Sequence, residues 1–327
     1  MFSTSQRGFW LRIVLLATNM VSGPLLAQTF PSKPVEIVVA QSPGSGADSI
    51  VRFLGPKLTS IWGQPVVVEN KPGANGIVGL QYLSRLPADG HGLALAAPSP
   101  MTVNQFIYKK MTLRPLDDFV PITQMTAIAF ALVVNQSFPA KSISDLVSLA
   151  KQKEGGLNYS SAGVGNLGHL AAELFSIKAG IKMHHIPNKG DGPALLDVVS
   201  GNTQLMFLPL PGAIALIKSG KLRLLAVAGK SRLAAYPDVP TIAESGYPDV
   251  VIEGWSGIVA PGGTPDPVVQ TIQKGFARIL AEPDMREYFA IRGQSVVASS
   301  PEEFGAFMRS EADKWSKVVS AIGLQID

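Results

Sequence analysis

Three turns in this chain carry the residues best suited to hold an anion. The first is Gln41-Ser42-Pro43-Gly44-Ser45-Gly46-Ala47-Asp48, which follows an apolar run at residues 35–40 and leads into a helical pattern. Glycines let such a backbone fold tightly, and the unpaired N–H groups at the start of the next helix make a local anion site. Ser45 and Ser49 add hydroxyl donors. The same residues also fit an ordinary turn in which Asp48 caps its helix, and the spacing supports both readings. The second turn, residues 160–169, contains G-x-G-x-x-G from Gly163 through Gly165 to Gly168, flanked by Ser161, Asn166 and His169. A dinucleotide site needs an acidic residue about 20 positions further on, at the end of the following strand. Met183-His184-His185-Ile186-Pro187 stands there, so the turn reads as an anion-binding loop and not as an NAD site. The third turn, residues 186–193, offers Lys189 to pair with an acidic ligand and Asn188 to hydrogen-bond it, although a lysine on a surface turn is also simply solvated.

Catalytic and metal chemistry find little support. The chain has no cysteine and only four histidines, which removes thiol nucleophiles and thiolate metal sites together. There is no G-x-S-x-G elbow, H-E-x-x-H pair or Walker loop. His184 and His185 are neighbours in a strand, so their side chains point to opposite faces. His169 fits a loop brace better than a zinc ligand. An exported α/β enzyme would have to use Ser45 or Ser161 with His169. Trp255 either walls a ligand cleft or fills the junction between two halves of the molecule.

The 327 residues suit two domains. Charged residues make up 16% of the chain, below the usual quarter or so, and the formal charge is +4. That charge falls to +2 without Arg7 and Arg12, and no Lys/Arg stripe interleaves with aromatics, so nucleic-acid binding is not expected. Residues 1–27 read as a secretory signal: two arginines, the apolar Ile13-Val14-Leu15-Leu16-Ala17, a Gly23-Pro24 break and a small Ala27. Asn19 and Gly23-Pro24 interrupt an apolar stretch already shorter than the ~20 residues of a membrane span. The mature chain is therefore expected to begin near residue 28 and to lie in the periplasm.

The elements that must position the three turns alternate between strand and helix. Strand patterns at 35–40, 66–68 and 93–97 precede a long β-rich stretch at 119–134. A second series follows, with strands at 157–160, 183–186, 204–208 and 222–228 and helices between them, and then another long strand at 250–259. Pro56 is expected to kink the first helix or end it early. Ser300-Pro301-Glu302-Glu303 combines an N-cap, a proline at the first helical position and a capping-box glutamate, opening a C-terminal helix. Such alternation predicts parallel sheets covered by helices, arranged as two α/β lobes between which the chain crosses twice. Ligands in such sheets bind at the C-terminal ends of the strands.

The chain resembles the Bug proteins, the periplasmic solute receptors of tripartite tricarboxylate transporters. The resemblance rests on Pro31-Ser32-Lys33-Pro34-Val35 with the 43–48 loop and on Gly63-Gln64-Pro65-Val66-Val67-Val68-Glu69-Asn70-Lys71-Pro72-Gly73-Ala74. It continues through Asp89-Gly90, Asn158-Tyr159-Ser160-Ser161-Ala162-Gly163, His169-Leu170 and Pro237-Asp238-Val239-Pro240-Thr241.

The resemblance implies a type II periplasmic-binding-protein fold, α/β throughout, with a signal at 1–27, one lobe from 28–128 plus 250–327 and a second from 129–249. It implies a carboxylate gripped by Gly44, Ser45, Gly46 and Asp48 from the first loop and by Ser161, Gly163, Gly165, Asn166 and His169 from the second. Asn188, Lys189, Leu208 and Trp255 complete the expected site. No cofactor and no catalysis are implied, and the expected form is a monomer. Its partners would be the membrane subunits of a tripartite carboxylate transporter or, in a variant reading, a sensor kinase ectodomain. The chain departs from the family at Ser42, where an aromatic is common, at Ser45, at Asn166, at Asn188 in place of tyrosine and at Leu208 in place of aspartate. Asn188 and Leu208 imply a ligand whose far end is less polar.

Overall fold

The computed structural model describes residues 30–326; the leader read at 1–27 lies outside the described residues. The first half of the chain forms β1 (Val35–Val39), β2 (Val66–Asn70), β3 (Gly92–Ala96), β4 (Phe119–Asn135) and β5 (Leu157–Ser161). The second supplies β6 (Met183–Pro187), β7 (Leu205–Pro209), β8 (Leu222–Val227), β9 (Glu253–Pro261) and β10 (Gln294–Val296). These strands form one mixed sheet in the order β2-β1-β3-β9-β4-β7-β5-β6, with β8 and β10 also paired to β4. The expectation of purely parallel sheets is corrected. β1, β2 and β3 are parallel, as are β5, β6 and β7, but β4 runs antiparallel to all four of its partners.

The reason is the length of β4. Its seventeen residues are too many for one ordinary strand, and they serve two sheet halves in turn. Phe119 to Ala129 pair with β9, whereas Phe130 to Asn135 pair with β7 and β8. The chain returns just before β9, where Ile252 donates its N–H to Ala228 in the second half and Glu253 pairs with Ala129 in the first.

The helices are α1 (Gly46–Trp62), α2 (Ile77–Leu83), α3 (Asn104–Ile107), α4 (Pro115–Asp118), α5 (Ile143–Gln152) and α6 (Leu167–Ala179). They continue as α7 (Asp191–Ser200), α8 (Ile214–Lys218), α9 (Asp266–Leu280), α10 (Pro283–Ala290) and α11 (Pro301–Ile322). α1 does not end at Pro56 but runs on to Trp62 and stops at Gly63, which adopts the left-handed conformation at φ 67°. Its apolar stripe Val51, Leu54 and Leu58 packs on Ile37 and Val39 of β1 together with Ile272 and Phe276 of α9. In the second half, Leu170 and Phe175 of α6 pack on Leu132, Tyr159 and Phe207.

α11 binds the two halves at their backs. Its start holds Phe304 and Met308 against Trp255, Phe119 and Val259. Its later turns hold Trp315, Val318 and Val319 among the core residues of the second half. The capping box at its N-terminus is complete: Ser300 Oγ accepts from Glu303 N–H, and the Glu303 carboxylate accepts from Ser300 N–H.

Candidate ligand-binding cleft

A cavity of about 850 Å³ opens where the C-terminal ends of the parallel strands meet. Gly46 and Ala47 of α1 line it from the first half, and Leu167 and Gly168 of α6 line it from the second. Local capping explains why these helix ends are available. Ser45 Oγ accepts from Asp48 N–H at 3.2 Å, and Asn166 Oδ1 accepts from His169 N–H at 2.7 Å. The third N–H of each helix is thereby satisfied. Those of Gly46, Ala47, Leu167 and Gly168 have no acceptor among the described residues, and all four residues border the same cavity. Two helix N-termini therefore present free donors and positive dipole ends to one space.

The expected clamp residues divide accordingly. Gly44, Gly46, Asn166 and Trp255 line the cavity. Ser45 is spent as the α1 cap, and Asp48, 3% exposed, braces the loop. The Asp48 carboxylate accepts from Arg52 Nε at 2.9 Å, from Gly44 N–H at 2.9 Å and from Asn70 Nδ2 at 3.0 Å. Those donors, Arg52 first, hold its pKa down at about 2. Gly163 N–H is taken by Ser161 Oγ at 3.1 Å, and Gly165 N–H by His169 Nδ1 at 3.0 Å. The free donors thus lie in the first helical residues, at the ends of the two turns read from the sequence and with Gly46 among the residues expected, and not on Gly163 or Gly165.

Ser161 and His169 belong to a buried brace behind the second loop. The rings of His169, His185 and Tyr159 stack on one another, Ser161 Oγ meets His185 Nε2 at 2.6 Å, and Tyr159 Oη donates to Glu173 at 2.5 Å. Burial, and then the charge of His185, pulls His169 down to about 3; burial pulls His185 to about 4. Both imidazoles are neutral at pH 7. Asn188 donates to Asp197 at 2.8 Å, Lys189 is exposed, and Leu208 is fully buried in the core around Ala194, Leu195 and Val198. None of these three lines the cavity, so the structure withdraws the argument from Asn188 and Leu208 to a less polar ligand end. Alternation along β7 separates the neighbours: Phe207 packs under α6 and borders the cavity, whereas Leu208 turns to the opposite face of the sheet.

Sequence reasoning missed four contributors. Asn75 and Gly76 line the cavity from a turn that Asn104 braces, donating its Nδ2 to the Asn75 carbonyl at 3.0 Å. Asp191, at the start of α7, is open to solvent but crowded by the walls around it, and this desolvation raises its carboxyl pKa. Arg292 lines the opposite side and is exposed. Asp191 and Arg292 are the two charged residues among those that line the cavity. Ile128, Phe130, Phe207, Pro209 and Pro211 make the wall between the polar ends apolar.

Two α/β halves joined by crossing strands, with a cleft at their strand ends, are the architecture of the periplasmic solute-binding proteins. The aliphatic sulphonate binding protein SsuA from Escherichia coli shares this fold, with a TM-score of 0.53 at 14% identity over 87% of each chain. Residues 50–324 match the family described as "Tripartite tricarboxylate transporter family receptor". The chain belongs to that family, the Bug or TctC-type solute receptors. Protein BugT of Bordetella pertussis is 31% identical over 314 residues, 96% of either chain. A protein of R. palustris with adipate superposes with a TM-score of 0.79 at 30% identity, covering 90% of this chain and 99% of its own. MatC from Rhodopseudomonas palustris, with bound malate, gives 0.76 at 28% identity, covering 89% and 100%.

Proposed function

We propose that this chain is a periplasmic receptor that captures a small organic carboxylate in the cleft and presents it to the membrane subunits of a tripartite carboxylate transporter. The carrying observation is the set of four unpaired N–H groups, on Gly46, Ala47, Leu167 and Gly168, around one cavity. A carboxylate has two oxygens and about four lone-pair sites, so it can accept from both helix ends at once. Donors on opposite halves make closure and binding one event, and the water this expels strengthens each contact. Ile128, Pro209 and Pro211, half-buried on the cavity wall, would cover the carbon skeleton.

The two lobes in this reading are residues 28–128 with 250–327, and 129–249. The Rhodopseudomonas relatives, one with adipate and one with malate, support the ligand class. No turnover is proposed: the Ser45 hydroxyl is engaged as a cap, and the Ser161 hydroxyl is engaged behind the loop.

Titration calorimetry of the 28–327 chain against dicarboxylates, tricarboxylates, acidic amino acids and aromatic acids tests the reading, with the matching neutral amides as controls. Saturable heat from one acid class, absent with its amides, is the expected result. Equal binding of acid and amide, or no binding by any acid, overturns it.

A further inference from the structure

Arg292 is placed in the cleft by a backbone that the strand pairing fixes. β10 pairs antiparallel with β4 so that Gln294 faces Ile128, which carries the preceding residues alongside Phe130 at the point where β4 passes between the halves. Gly293 lies so close to the second half that a Cβ there would sit 2.6 Å from Pro211 Cγ. Its φ of 64° is one that glycine adopts freely, and this turns Arg292 into the gap.

The guanidinium is held but not neutralised. It lies over the Tyr288 ring with 3.6 Å to the centroid, and Nη1 donates to the Tyr288 carbonyl at 2.9 Å. Tyr288 in turn stacks on Phe53 of α1, centroids 3.8 Å apart, so the helix that offers Gly46 and Ala47 also supports this cation. Among the described residues Arg292 makes no ion pair. Asp191 is the one anionic side chain lining the same cavity, from the second half. Ile128, Phe130 and Phe207 form the apolar wall.

Building on the carboxylate reading above, we propose that Arg292 is the specificity-determining residue of the cleft, selecting organic acids that carry a second negative group beyond an apolar spacer. The first carboxylate takes the free N–H groups of α1 and α6, and the second takes the planar fork of the guanidinium, which suits a carboxylate bidentately. A monoacid of equal length leaves that cation without a partner and gains only the first contact. A guanidinium already held by Tyr288 loses little freedom when it binds, so the second charge adds affinity at small entropic cost. Asp191 sharpens the choice by disfavouring an anion placed toward α7.

The experiment is calorimetry of the 28–327 chain with straight-chain dicarboxylates of four to eight carbons, each paired with the monocarboxylate of equal length. Wild type is expected to bind at least one diacid about tenfold or more tighter than its monoacid. R292Q is expected to weaken the diacid about tenfold or more beyond any loss for its monoacid, which erases the preference, and R292K to restore part of it. A preference that survives R292Q overturns the proposal, as does an equal loss for mono- and diacids, which would assign Arg292 to lobe closure. Wild type that binds mono- and diacids alike refutes this inference but leaves the receptor reading standing. Wild type that binds neither class refutes this inference, and the receptor reading falls with it only if the wider acid panel above also fails to bind.

Discussion

The imidazoles of His169 and His185 lie face to face, their centroids 3.9 Å apart and their planes within 9°. Two neutral rings tolerate that contact and two imidazolium ions do not. His169 also accepts the Gly165 N–H through Nδ1, which protonation would abolish. The unfolded chain takes up protons near the ordinary pKa of 6.5, whereas the folded pair holds out to about 3 and 4. Between those limits the unfolded state binds more protons, so stability is complete above 6.5 and falls as the pH drops. At about 1.4 kcal/mol per pH unit, the loss by pH 4.5 should reach about 2–3 kcal/mol for each imidazole. Thermal melts of wild type and H185Q from pH 8 to 4 check this: H185Q should show the shallower fall, and parallel curves would refute the assignment.

Asp48 acts in a separate window. Its folded pKa of about 2 lies below the ordinary 3.8, so its contribution is present above 3.8 and is lost as the pH falls toward 2. D48A should weaken acid binding by releasing Gly44 and Arg52, and it should remove part of the loss below pH 4 while leaving the histidine limb intact. Melts at pH 2–4 and calorimetry at pH 7 separate the two effects.

Gly168 tests the second helix end directly. A Cβ there would lie 2.4 Å from the Phe207 carbonyl oxygen, so G168A must push α6 away from β7. The expected cost is about 1–3 kcal/mol in denaturant unfolding, together with loss of ligand binding. Gly192, whose added Cβ would meet nothing within 4 Å, is the control, and G192A should bind normally.

Capping chemistry is legible in part: Ser300 caps α11 with the box that its residue types imply, whereas Ser45 and not Asp48 caps α1, and Asn166, read as a clamp residue, caps α6. So is the crossing strand, because the β-rich stretch at 119–134 is longer than one ordinary strand, and β4 runs from Phe119 to Asn135. What the sequence hides is set by distant contacts. No local pattern shows that Gly163 and Gly165 donate inward, since the acceptors are the Ser161 hydroxyl and the His169 ring. Nor does sequence place Arg292 in the cleft, because that depends on the β4–β10 register and on Pro211. Leu208 misleads because alternation gives the type of face but not which face is the cleft.

Pro56 gives a prediction from a failed expectation. It sits exposed inside α1, where it leaves the Arg52 carbonyl without its usual helical donor. P56A should restore that bond and stabilise the fold by about 1–2 kcal/mol, since the greater freedom of the unfolded alanine chain offsets part of the gain. Urea unfolding midpoints measure it, and an unchanged or lower midpoint would show that α1 already accommodates the ring.

W315A should be far more damaging. The indole is fully buried, and its N–H donates to Glu311 at 3.1 Å. Truncation should cost about 3–5 kcal/mol by denaturant titration.

The reach of α11 across both cores also fixes when the molecule can become whole. Neither half has its complete apolar interior without Pro301–Ile322. A chain that lacks this segment leaves bare the surfaces that Phe304 and Trp315 cover, one at each half.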